Sequence, residues 1–145
     1  MRRIGVALGV VLALAAGAAF AHPLGNFTTN RQARITIDSG RITVRYVVDV
    51  AELPAYRTLA EMDTDGDGSA DAGEHAAWAA RLAADVARNL HVTIDGHATL
   101  LRPVAHEAMT QPGTGGLPTL RAEIGLEAPL DARRGTLVVD RKSVV

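Results

Sequence analysis

The sequence contains no cysteine and no marked excess of either charge, the formal net charge being -1 at pH 7. Without cysteine, no disulfide can stiffen the fold, and a bound metal is the remaining candidate for such a constraint. The near-neutral balance, with 21% charged residues, excludes the basic footprint expected of a nucleic-acid partner. Beyond residue 21 no apolar run is long enough to cross a bilayer as a helix, so these 145 residues form neither pore nor carrier by themselves. Catalytic signatures are missing too. Ser39, Ser69 and Ser143 lie in a turn, a loop and the tail, with no nucleophile elbow, and no glycine run precedes a helix as a phosphate loop would. His106-Glu107 opens like a zinc-protease motif, but Thr110 stands where the second histidine belongs. These absences argue against an enzyme.

What is present begins with an export signal. Met1-Arg2-Arg3 is basic, Ile4 to Phe20 is uncharged and apolar, and Ala19-Phe20-Ala21 has the small-x-small form of a cleavage site. The apolar run is diluted by Ala and Gly and falls short of the roughly 20 residues that span a bilayer, so residues 1–21 read as a signal peptide rather than an anchor. Its removal takes Arg2 and Arg3 from 15 basic residues, leaving 13 against 16 acidic ones and a mildly acidic exported domain. That domain is expected over residues 22–141. Residues 142–145 follow a strand-like run with no closing turn, which reads as a tail left by truncation.

Hydrophobic periodicity predicts an α+β fold: a β-rich antiparallel sheet or sandwich with an inserted helix-loop-helix at about residues 52–90. Phe27 to Asp38 alternates as a half-buried strand, and Ile42, Val44, Tyr46, Val48 and Val50 share one face of a second, joined to the first through Asp38-Ser39-Gly40. At Glu52-Leu53-Pro54 the spacing turns helical, with Tyr56, Leu59, Ala60 and Met62 recurring at helical rather than strand intervals. Trp78, Leu82, Val86 and Leu90 stripe a second helix. Asp95-Gly96 predicts a two-residue hairpin pairing Ile94 with His97, which sets His91 and His97 on opposite faces. Leu120 to Ala128 alternates again, and Thr136 to Asp140 adds a last strand, about six in all.

Between the helices runs Asp63-Thr64-Asp65-Gly66-Asp67-Gly68-Ser69-Ala70-Asp71-Ala72-Gly73-Glu74. Five carboxylates and a central glycine stand here at the spacing of an EF-hand calcium loop. Asp63, Asp65 and Asp67 occupy positions 1, 3 and 5, Ser69 offers its carbonyl at position 7, Asp71 is placed at position 9, and Glu74 closes the shell at position 12. Gly68 at position 6 permits the sharp turn. Oxygen donors alone suit a hard cation such as Ca²⁺, whereas nickel, copper or zinc would draw on imidazole or thiolate. Asp71-Ala72-Gly73-Glu74 can also be read as a helix capping box. Ala70 is small where a larger apolar residue usually packs, and no second loop pairs with this one. A dissociation constant on the order of 10⁻⁴ to 10⁻³ M is therefore expected, as in extracellular modules.

Four stretches resemble the N-terminal extracytoplasmic region of bacterial high-affinity nickel or nickel/cobalt transporters: residues 21–28 (AHPLGNFT), 46–54 (YVVDVAELP), 63–68 (DTDGDG) and 116–121 (GLPTLR). The resemblance implies a sensing, docking or structural domain, periplasmic or at the cell surface, ahead of a membrane transporter portion in the same parent protein or in a partner. The family's His-x₄-Asp helix signature has no counterpart among the five histidines, so no transport residue is carried over. Two other readings stand beside it. One is a periplasmic protein capturing nickel or copper through His22 as the mature N-terminus. The other is a metal-free interaction domain. His75 and His106 read as surface residues.

Overall fold

In the computed structural model, residues 27–38, 40–114, 116–130 and 137–141 are described. The signal segment 1–21, His22, Thr136 and the tail 142–145 lie outside them. The expected α+β architecture is observed, with two helices and two antiparallel sheets among the described residues.

The alternating stretch from Arg41 to Val50 forms β2, the inner partner of β1 (Thr29–Asp38). The chain then enters α1 (Glu52–Met62) and, after the aspartate loop, α2 (Ala72–Asn89). It continues through β3 (Leu90–Ile94), β4 (His97–Thr99), β5 (Arg102–Pro112), β6 (Pro118–Pro129) and β7 (Leu137–Arg141). The larger sheet has the order β1-β2-β6-β5 and the smaller β4-β3-β7.

Opposite residues of an antiparallel pair share a face, so the register fixes the core. Ile42, Val44, Tyr46, Val48 and Val50 pair with Ala128, Leu126, Ile124, Ala122 and Leu120, and all ten are buried. One hydrophobic cluster joins them to Ala55 and Met62 of α1, Ala83 and Val86 of α2, and Leu90 and Val92 of β3. The reverse face carries ion pairs: Arg41 with Glu127, Arg45 with Glu123, and Arg121 with both Asp49 and Glu123. Solvent screening makes each of these exposed pairs a minor contributor to stability.

Three sequence expectations change. β1 alternates as predicted but is exposed along almost its whole length rather than half-buried, because the helices cover β5 and β6 and leave this edge uncovered. In α2 the deepest face is Ala79, Ala83 and Val86, with Trp78 and Leu82 only partly buried at its flank. Alanine lets the helix axis approach the sheet, so the larger side chains fill the sides. A seventh strand, β5, also appears. Its prolines at each end and the bulge between Pro103 and Ala105 suit an edge strand but erase the alternation by which strands are recognised. The Asp95-Gly96 turn is as expected: both residues have positive φ, and Ile94 pairs with His97.

The β5–β6 turn is locked to the start of α1. Glu52 is buried, Thr114 Oγ1 donates to its Oε1 at 3.3 Å, and Gly113 N donates to Leu117 O. A Cβ on Gly113 would lie 2.2 Å from Leu117 O and 2.3 Å from Glu52 Oε1. Gly113→Ala is therefore expected to destabilise the chain by about 2 kcal/mol or more, read as a lower urea midpoint, through backbone displacement at this turn.

Candidate metal centre

The loop begins where α1 runs out of core. Met62 is fully buried, and Asp63, the next residue, leaves helical geometry while its N–H still donates to Leu59 O at 3.1 Å. Asp63 then gathers the following backbone around its carboxylate. Oδ1 accepts from Gly66 N at 2.8 Å and Asp67 N at 3.1 Å, and Oδ2 accepts from Gly68 N at 2.9 Å. The reversal places Gly66 at φ 75° and Gly68 at φ 93°, left-handed values that glycine adopts without a Cβ clash. Asp65 Oδ1 accepts from Asp67 N, and Asp67 Oδ1 accepts from both the N–H and the hydroxyl of Ser69.

One consequence is convergence of charge. Carboxylate oxygens of Asp63, Asp65 and Asp67 lie within 4.8 Å of one another, with Asp63 half-buried and the other two exposed. Ca²⁺ binds oxygens at about 2.3–2.6 Å, so atoms at this mutual spacing can share one ion. The donor set is wholly oxygen, and the residues fit a hard cation.

The remaining ligand positions lie elsewhere in the same motif. Asp71 caps α2: its Oδ1 accepts from Glu74 N at 2.9 Å, while Glu74 Oε2 accepts from Asp71 N at 3.0 Å, a complete capping box. Glu74 Oε1 reaches back across the loop to accept from the N–H and the hydroxyl of Thr64. The Thr64 N–H, then its hydroxyl, then the Asp71 N–H hold the Glu74 carboxyl below the ordinary glutamate range. Asp63, Asp65 and Asp67 are thus brought together, Ser69 follows on Asp67, and Asp71 and Glu74 fasten the outgoing helix to the loop entrance. Both Glu74 oxygens accept hydrogen bonds and Glu74 lies outside the converging carboxylate group, so bidentate ligation at position 12 requires its side chain to move toward the ion. Thr64 carries two of those contacts and was not legible as a site residue, because position 2 is no ligand position in the loop pattern.

No helix among the described residues is long and apolar enough to cross a membrane. No protein-family model, curated protein or solved structure matches the chain.

Proposed function

We propose that this chain is a calcium-binding, extracytoplasmic domain of a nickel/cobalt transport-related protein, acting by binding rather than by catalysis. The observation that carries the calcium reading is the convergence of Asp63, Asp65 and Asp67 in a loop between two packed helices. Ser69, Asp71 and Glu74 complete the proposed ligand set. Three negative groups held this close repel one another, and an ion between them compensates that charge and ties α1 to α2. The ion's role is to order the domain or to regulate it. Export rests on the pattern of residues 1–21, and the transport setting rests on the four resemblances, with the translocating machinery in a separate membrane portion.

Calcium titration of the full chain by calorimetry tests the site. One saturable event is expected, with a dissociation constant on the order of 10⁻⁴ to 10⁻³ M, and Asp63→Ala removes it. Undiminished binding in that variant would overturn the loop assignment.

A further inference from the structure

The two edges of the larger sheet are built differently. On β5, Pro103 and Pro112 remove backbone donors and a bulge interrupts the ladder, devices that keep an edge strand from pairing further. β1 has neither. Its ten residues, TNRQARITID, contain no proline or glycine, its ladder with β2 is unbroken, and among the described residues no strand lies on its other side.

The ladder determines which backbone groups face that open side. Ala51 N donates to Thr28 O at 2.9 Å, one step beyond the Thr29–Val50 pair. Hydrogen-bonded pairs alternate along an antiparallel ladder, so Arg34, Thr36 and Asp38 bond to β2, while the N–H and C=O groups of Ala33, Ile35 and Ile37 point to the open side. The side chains of Ile35 and Ile37 are exposed on the face of the sheet that carries the core. On the opposite face Arg34 lies across from Arg45, whose guanidinium is paired with Glu123, and among the described residues Arg34 itself makes no ion pair.

Symmetry then selects a register for pairing with a second copy. An antiparallel contact centred on Arg34 sets two guanidiniums against each other, and one centred on Ile35 sets Arg34 against Thr36. Centred on Thr36, it sets Arg34 against Asp38 of the second copy and Ile35 against Ile37 of the second copy, each twice. The isoleucine pairs are then the hydrogen-bonded ones, and the Arg34–Asp38 pairs fall at the closer, non-hydrogen-bonded positions, where opposite charges facing each other are favourable. A carboxylate has about four acceptor sites, so Asp38 can receive this arginine beside the contacts it has in its own chain. Arg31, farther along β1, projects on the core face, an inward charge that opposes pairing along the whole strand.

We propose that β1 is a homodimerisation edge, joining two copies antiparallel about Thr36 into one continuous sheet. The contact is isologous and closes at two copies. Residues 34–38 of each copy meet, an interface small enough to dissociate on dilution. The proposal is independent of the calcium reading.

Sedimentation equilibrium of the full chain tests it, with a mass expected to rise from one copy to two as concentration increases. Arg34→Asp and Asp38→Arg each set like charges across the axis and are expected to weaken association by about tenfold or more, whereas the double variant restores it. Arg34→Asp places a carboxylate opposite Arg45, so the single copy keeps its fold, which circular dichroism checks. In amide exchange, the N–H groups of Ile35 and Ile37 are expected to slow with rising concentration, while that of Thr36, already bonded to β2, does not change. A one-copy mass at every concentration would overturn the proposal. So would association that neither charge reversal weakens, which would belong to another surface, or a double variant that associates no better than Arg34→Asp alone.

Discussion

Leu126→Ala is expected to lower the unfolding free energy by about 2 to 5 kcal/mol, enough to consume much of a typical domain's stability of about 5 to 15 kcal/mol. Leu126 has no exposed surface, lies on the inner face of β6, and is flanked by Val44 on β2 and Pro103 on β5. Truncation removes buried carbons and leaves a cavity that neighbouring strands cannot close without breaking their ladders. Ile37→Ala is the contrasting variant. Ile37 is 56% exposed on the edge strand β1, on the same sheet face but away from β5 and β6, on which the helices pack. Its truncation is expected to cost no more than about 0.5 kcal/mol. Urea denaturation of both variants reads the difference, and equal losses would contradict the placement of the core.

That contrast marks what a sequence pattern carries. Period-two alternation states which side chains share a face, and it identified β2 and β6 because both are covered from end to end. It does not state how far the covering layer extends, and so the similar alternation of Phe27 to Ile37 reads as a half-buried strand. β5 escaped for the opposite reason. The face that shares its side of the sheet with the core holds His106, Ala108 and Thr110, small or polar residues of which only Ala108 is half-buried, so no apolar stripe announces it.

The candidate calcium loop was far more legible, because its geometry is local. Asp63, Asp65 and Asp67 converge through hydrogen bonds to backbone groups two to five residues away. Such contacts are encoded in the spacing itself. The engagement of Glu74 with Thr64 spans ten residues and depends on where α2 starts. The Asp71-x-x-Glu74 capping box determines that start, so two readings of one tetrapeptide, cap and ligand, describe the same residue in competition.

Glu74→Gln separates those two roles. Glutamine can still accept at N3 of a capping box, so the calcium-free variant at neutral pH is expected to fold with α2 intact. It lacks the charge and the second anionic oxygen needed to close a calcium shell, so stabilisation by the ion is expected to vanish. For the wild-type chain, 10 mM Ca²⁺ is about 10 to 100 times the expected dissociation constant, and mass action then raises stability by about 1.4 to 2.7 kcal/mol. The pH dependence supplies an independent reading. Hydrogen bonds from Thr64 and Asp71 lower the Glu74 pKa in the folded chain, so its contribution is present above the unfolded-state value. It is lost as pH falls through the lowered folded value. In calcium-free buffer the wild-type urea midpoint should therefore decline with acidification across that window, and Glu74→Gln should remove this part of the slope. A variant that keeps both the calcium response and the acid slope would show that neither ligation nor the Thr64 contact runs through this carboxylate.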